Sequence, residues 1–212
     1  MRRPALVGLV LAALLAGCAE HDLVRIAGDD KAGRNNGSAG STAARQFLID
    51  ELKPIAAGLN TGASGDAAYL QPFSGGTNVV AVIPGTDLAN QYVVVGAHYD
   101  GLGSSCTVKT PGDTICNGAT DNAAGAAAVL AIARTIGAQQ VKPRRSVVLA
   151  FWDSEEDGLV GSFHYSNNPL VPLAQTVAYV NFDILGANLS PSLRDTSFAI
   201  AAESGGARFQ EI

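Results

Sequence analysis

Basic charge is in short supply. The chain has 14 Lys and Arg against 19 Asp and Glu, a net charge of -5, and no Lys or Arg run in its body. Nucleic acid asks for a basic face, so this balance argues weakly against it as a partner. At 47% hydrophobic and 16% charged, there is no coiled-coil or collagen bias and no internal repeat, which leaves an ordinary globular chain long enough to bury a core. Histidine is scarcer still: His21, His98 and His164 are the whole supply, and none follows His164. Cysteine stops at three.

The one long apolar run, Leu6–Ala16, follows Arg2 and Arg3 and is too short to remain as a transmembrane helix. It reads as an export signal. Its ending, Leu15-Ala16-Gly17-Cys18, resembles the lipobox of bacterial lipoproteins, in which the peptide is cut before a cysteine that is then lipidated. Residues 1–17 are therefore read as a lipoprotein signal peptide with the anchor on Cys18. An ordinary secretory signal with an incidental cysteine is the competing reading. Ala19 lacks the Asp expected of inner-membrane retention, so the resemblance implies an outer-membrane lipoprotein facing the periplasm, with surface or secreted forms as alternatives. Residues 18–40, rich in Gly, Asn, Asp and Ser, read as a tether and entry loop, and 41–212 as the folded domain.

With Cys18 spent, Cys106 and Cys116 are an even pair in an exported chain. Pro111-Gly112-Asp113 between them is a turn that lets the ends meet, which predicts a small disulfide loop. Two thiolate metal ligands would want tighter spacing and further partners.

Along the domain, Ala44, Phe47, Leu48 and Leu52 recur at helical spacing over 41–52, and Pro54 stops the run. Residues 58–65 read as a loop. Strands are predicted over 78–83 and 92–97, with Pro84-Gly85 between them. The segment 122–136 is an alanine-rich buried helix with Asp121 at its mouth as an N-cap. Strand 146–152, helix 158–167, strand 176–182 and a last strand over 196–202 follow. Alternating strands and helices predict an α/β fold, a sandwich with a largely parallel central sheet.

Four motifs fall in order on this frame: His98-Tyr99-Asp100, Gly118-Ala119-Thr120-Asp121-Asn122, Glu155-Glu156-Asp157-Gly158-Leu159 and Asn181-Phe182-Asp183. Three follow predicted strands and one opens a helix, so all reach the sheet edge where open α/β folds bind ligands. Imidazole with carboxylates suits a borderline divalent cation such as zinc, and the number of carboxylates suits two. Taken singly, each residue has a plainer reading: His98 as a partly buried histidine, Asp121 as a helix cap, Asp183 as a turn residue. Asp153 and Asp157 read as solvated or structural acids. His164 reads as a helix-packing or surface residue, and His21 as part of the tether.

The motifs resemble the co-catalytic di-zinc aminopeptidase family, which includes bacterial leucyl aminopeptidases, aminopeptidase Y and the more distant glutamate carboxypeptidases. The likeness spans roughly 78–186 and is most specific over Phe151-Trp152-Asp153-Ser154-Glu155-Glu156-Asp157-Gly158-Leu159-Val160-Gly161-Ser162. It implies a zinc-exopeptidase-like three-layer α/β/α sandwich with a mixed sheet. It implies two zinc ions bridged by Asp121, one held by His98 and Asp183 and the other by Glu156. Glu155 would be the general base, and Asp100 would fix the His98 tautomer. Peptide is the implied substrate, hydrolysed from its N-terminus. A carboxypeptidase, or a glutaminyl-cyclase-like enzyme with a single zinc, is the alternative on the same scaffold. The family's remaining ligand is a histidine well past the Asn-x-Asp motif. With none here, the resemblance implies a domain whose C-terminal part is missing. A chain that truly stops at Ile212 would instead suit a non-catalytic envelope lipoprotein. Oligomeric state and side-chain preference are not legible.

Overall fold

The computed structural model describes residues 17–107 and 111–187. Its centre is a mixed sheet of β1 (Ala57–Gly58), β2 (Leu70–Phe73), β3 (Gly76–Ile83), β4 (Leu88–His98), β5 (Arg145–Trp152) and β6 (Thr176–Asn181). The strand order is β1-β3-β5-β4-β6, with β2 also on β3. β4 runs parallel to β5 and β6, while β3 is antiparallel to β5, β1 and β2. The sheet is thus parallel where the motifs sit. β3 and β4, consecutive in the chain, do not pair, because β5 lies between them.

β5 occupies the middle, and Ser146 to Trp152 are all buried, as a strand covered on both faces requires. Successive side chains point to opposite faces. Val79, Ala81, Val147, Leu149, Phe151, Val95 and Ala97 therefore meet one helical layer, while Val80, Val94, Val148, Ala150 and Trp152 meet the other. The first layer holds α2 (Ala39–Leu52), through Ala44, Leu48 and Leu52, and α3 (Ala124–Ala138), through Ala126, Val129 and Leu130. The second holds α4 (Val160–Asn167), through Tyr165, together with Val171. These three layers match the expected sandwich. α2 starts where the Ser38 hydroxyl accepts the Ser41 amide at 3.0 Å, an N-cap that places the first helical residue two positions before the expected start at 41. Among the described residues no helix is long and apolar enough to cross a membrane.

The stretch read as a tether is folded. A helix, α1, covers residues 17–27 and a short 3-10 segment follows over Asp29–Arg34. Leu23, Ile26 and Ala27, spaced three and four apart, pack into the first layer, with Ile26 fully buried. Their helical spacing is diluted among polar neighbours, so composition alone gave the wrong answer. Arg134 on α3 pins α1 through Asp22 (Nη2–Oδ1 3.0 Å, with Nη1 on Oδ2) and also reaches Glu51 on α2 at 2.7 Å.

Asp121 does not cap α3. The chain runs through an irregular turn, Ala119–Ala123, and it is Asn122 whose Oδ1 accepts the Gly125 amide at 3.1 Å. That frees the Asp121 carboxylate to point elsewhere. The strands β1 and β2 went unread because they are short, and β2 carries Pro72, which belongs on an edge. Residues 1–16 of the expected signal peptide 1–17, and the strand expected over 196–202, lie outside the described residues.

Candidate metal centre

Because β4, β5 and β6 are parallel, their carboxyl ends share one edge of the sheet. His98 is the last residue of β4 and pairs with Trp152, the last of β5; Gly96 pairs with Asn181, the last of β6. The turns that leave these strands carry Glu155, Glu156 and Asp183. Asp121 arrives from the turn before α3.

His98 is the hub. Its Nε2 lies 3.1 Å from Asp121 Oδ1, 3.6 Å from Asp183 Oδ1 and 3.7 Å from Glu155 Oε2. On the other side of the ring, Nδ1 lies 3.3 Å from Asp100 Oδ1, within ion-pair distance, and neither atom has a hydrogen-bond partner. His98 and Asp100 are 2% and 1% exposed at the side chain, whereas Asp121 and Asp183 are 50% and 39% exposed. A buried imidazole thus faces a half-open ring of carboxylates.

The charges press on one another. Burial pulls the His98 imidazole down, but the close approach of Asp100 and Asp183 and their negative charge override it and push it up to about 10. Burial raises the Glu155 carboxyl, with His98 opposing and Asp183, Asp100 and Asp121 adding to the rise. Glu156 is pushed up to about 7 by burial and then by the Asp121 charge. Like charges gathered this closely disfavour ionisation, which a bound cation would relieve.

Which residues fit a metal can be judged from the donors. One nitrogen of His98 and one oxygen each of Glu155 and Asp183 all lie within 4.8 Å of one another. Imidazole with carboxylates is a zinc donor set, and Asp100 lies behind the ring, where a metal-bound histidine's outer partner would stand. Asp121, nearest to Nε2, completes the ring. Glu156 is not in the three-residue group. Its amide donates to Asp100 Oδ2 at 3.2 Å, and Asp121 is the carboxylate whose charge it feels most. His164 stays apart, stacked on Phe73 with ring centres 5.2 Å apart, which is a packing role.

Two residues that organise the site were not assigned to it from sequence. Tyr99, between His98 and Asp100, is fully buried, and its hydroxyl lies 2.9 Å from both Thr77 O and Asp153 Oδ2. Asp153, buried rather than solvated, also accepts the Thr77 and Ser154 amides at 2.8 and 3.0 Å. Ser154 then adopts a left-handed φ of 56° and turns the chain toward Glu155. Asn78, also buried, accepts the Asp153 amide at 3.0 Å and donates to Gly161 O at 2.8 Å. Gly161 must be glycine, since a Cβ there would lie 2.3 Å from Asn78 Oδ1 and from Asp153 O. The signal was present in the specific phrase 151–162, but its contacts with residues 77, 78 and 99 are long-range. Beside this edge, Cys106 and Cys116 form the expected disulfide. Cys18 is unpaired and exposed at the start of the described chain.

Residues 78–206 match Peptidase family M28. Leupeptin-inactivating enzyme 1 of Streptomyces exfoliatus is 32% identical over 170 residues, which is 78% of this chain and 34% of the relative. The chain therefore spans about a third of that relative's length. Among solved structures, a leucine aminopeptidase precursor from Bacteroides thetaiotaomicron superposes with a TM-score of 0.61 at 21% identity, covering 82% of this chain and 64% of the other. A Porphyromonas gingivalis glutaminyl cyclase gives 0.63 at 23% identity, covering 82% and 62%. At these identities the structural likeness speaks to the fold alone.

Proposed function

The chain belongs to peptidase family M28, and from that premise we propose a zinc-dependent aminopeptidase that removes N-terminal residues from peptides. The observation that carries the proposal is the meeting of His98, Glu155 and Asp183 at one sheet edge, with Asp121 3.1 Å from His98 Nε2. His98 and Asp183 would hold one zinc, Glu156 a second, and Asp121 would be shared between them. Bound zinc supplies Lewis acidity, polarising the scissile carbonyl and lowering the pKa of water.

The chain's own residues do the rest. Asp100, 3.3 Å from His98 Nδ1, is placed to accept its proton and so to keep Nε2 turned to the metal side. Glu155, raised by burial, is suited to take the proton of the attacking water and hand it to the leaving amine, a role typically worth 10²–10⁴-fold. Glu155 and Glu156 can divide the work because neighbouring side chains diverge. The export signal and Cys18 support a further proposal, that the domain is lipid-anchored in the bacterial envelope; the disulfide suits such a compartment.

A second reading, a cyclase-like enzyme with one ion, is favoured by the compactness of the three-residue group, which offers a single place for a metal. Hydrolysis of a leucyl anilide with a free or an acetylated amino group tests the first reading. Zinc-loaded protein should cut the free form, and Glu155→Gln should lose nearly all of that activity. Equal rates for Glu155→Gln and the parent would refute the mechanism. Cyclisation of an N-terminal glutaminyl peptide without anilide hydrolysis would select the second reading.

A further inference from the structure

Arg34 is fully buried, and its guanidinium spends its donors on main-chain carbonyls of three separate segments. Nε donates to Tyr99 O at 2.9 Å; Nη1 to Ile26 O at 3.0 Å and Asn117 O at 2.6 Å; Nη2 to Gly118 O at 3.0 Å. Among the described residues no carboxylate lies within ion-pair distance of it. Tyr99 sits between His98 and Asp100, and Gly118 opens the turn that delivers Asp121. One side chain therefore ties together the strand end and the turn that present the His98 and Asp121 motifs.

The main chain around Arg34 is built for this contact. Ala32, Gly33 and Arg34 all have left-handed φ, at 47°, 72° and 52°. Gly33 O accepts the Gly103 amide at 3.0 Å and Arg34 O the Gly101 amide at 3.3 Å. A Cβ on Gly33 would lie 2.4 Å from Gly103 O, so the two segments touch backbone to backbone. Asn117 is fixed again from the same side, its Nδ2 donating to Ala27 O and Asp29 Oδ1, both at 2.7 Å.

Burying a cation without an ion pair is costly, and something must offset it. Burial lowers the Arg34 pKa to about 10, and the charges of Asp100, Asp121 and Glu156 act against that fall. The guanidinium stays charged at neutral pH and stands behind the carboxylates it faces.

We propose that Arg34 is the positioning residue of the metal centre, clamping the His98-Tyr99-Asp100 strand end and the Gly118–Asp121 turn in one arrangement while its fixed charge offsets their carboxylates. The inference rests on the zinc reading above. It explains why a planar fork is needed. Four carbonyls approach from three segments, and a lysine ammonium has three donors at a single point.

The test compares the parent with Arg34→Lys, which keeps the charge and loses the fork. Parent protein that binds neither Zn²⁺ nor Co²⁺ would refute the zinc reading itself. Given binding by the parent, Arg34→Lys with an unchanged far-ultraviolet circular dichroism spectrum should bind Zn²⁺ about 10–100-fold more weakly, the range for an outer partner of a metal ligand. Its Co²⁺ visible absorption should also differ from the parent's. A folded Arg34→Lys with parental Zn²⁺ affinity and an identical Co²⁺ spectrum would overturn the proposal and leave Arg34 a scaffold residue. Should the variant not fold, the parent decides. The Arg34 Nε–H resonance should be protected from exchange and should shift as Zn²⁺ is added, and an unmoved resonance during zinc binding would overturn the clamp.

Discussion

Replacing Tyr99 by Phe removes one oxygen from a fully buried position and tests whether the turn bearing Glu155 is held from below. The hydroxyl lies 2.9 Å from Asp153 Oδ2 and from Thr77 O, so its single proton serves an acceptor that is ionised or an acceptor of the main chain. A hydrogen bond to a charged group is worth about 1.5–3 kcal/mol. Asp153 Oδ2 keeps the Thr77 amide at 2.8 Å and Oδ1 keeps the Ser154 amide at 3.0 Å. The carboxylate is therefore not stripped of donors, and the loss should fall in the lower half of that range, about 2 kcal/mol. For a chain of this length that is a fall in Tm of about 4–8 °C. Differential scanning calorimetry of the disulfide-intact protein measures it. Asp153→Asn should be destabilising too, and the double variant should lose clearly less than the two single losses combined, because both remove the same contact. A Tm for Tyr99→Phe within about 1 °C of the parent, or strict additivity with Asp153→Asn, would refute the reasoning.

Breaking the Cys106–Cys116 bridge with paired serines opens a loop closed across a separation of 10 residues. The chain-entropy relation puts that at about 2.5–3 kcal/mol, visible as a lower urea midpoint at unchanged slope. Arg134→Ala leaves Asp22, 1% exposed, without its cation, and should cost about 2–4 kcal/mol. It should also expose residues 17–27 to limited proteolysis; parental resistance there would mean α1 is held by other contacts.

The parts of the fold that could be read from the chain are those in which local pattern and burial agree. Val147 to Trp152 are apolar on both sides of the strand because β5 is central, and the alanines of α3 let it lie close to the sheet. Motif order was legible for the same reason where two motifs leave buried strands and one opens a buried helix; β6, which ends in Asn181, is a half-exposed edge strand, and its motif had only the alternation of the strand to mark it. What could not be read depends on partners far along the chain. Arg34 looks like a solvated residue in a polar loop, yet its acceptors lie 65, 83 and 84 positions away, besides one only 8 away. Asp153 reads equally as a solvated or a structural acid beside Glu155 until Thr77 and Tyr99 are brought against it. Asn122 rather than Asp121 receives the Gly125 amide because α3, expected from residue 122, starts two residues later at Ala124. No local signal separates the two.

Zinc binding by calorimetric titration, comparing the parent with His98→Ala and Asp183→Asn, bears most directly on the account. The parent should bind Zn²⁺, and each variant should bind it far more weakly while keeping a cooperative thermal transition. Equal affinity in all three, with folding intact, would contradict the assignment of this sheet edge as a metal centre.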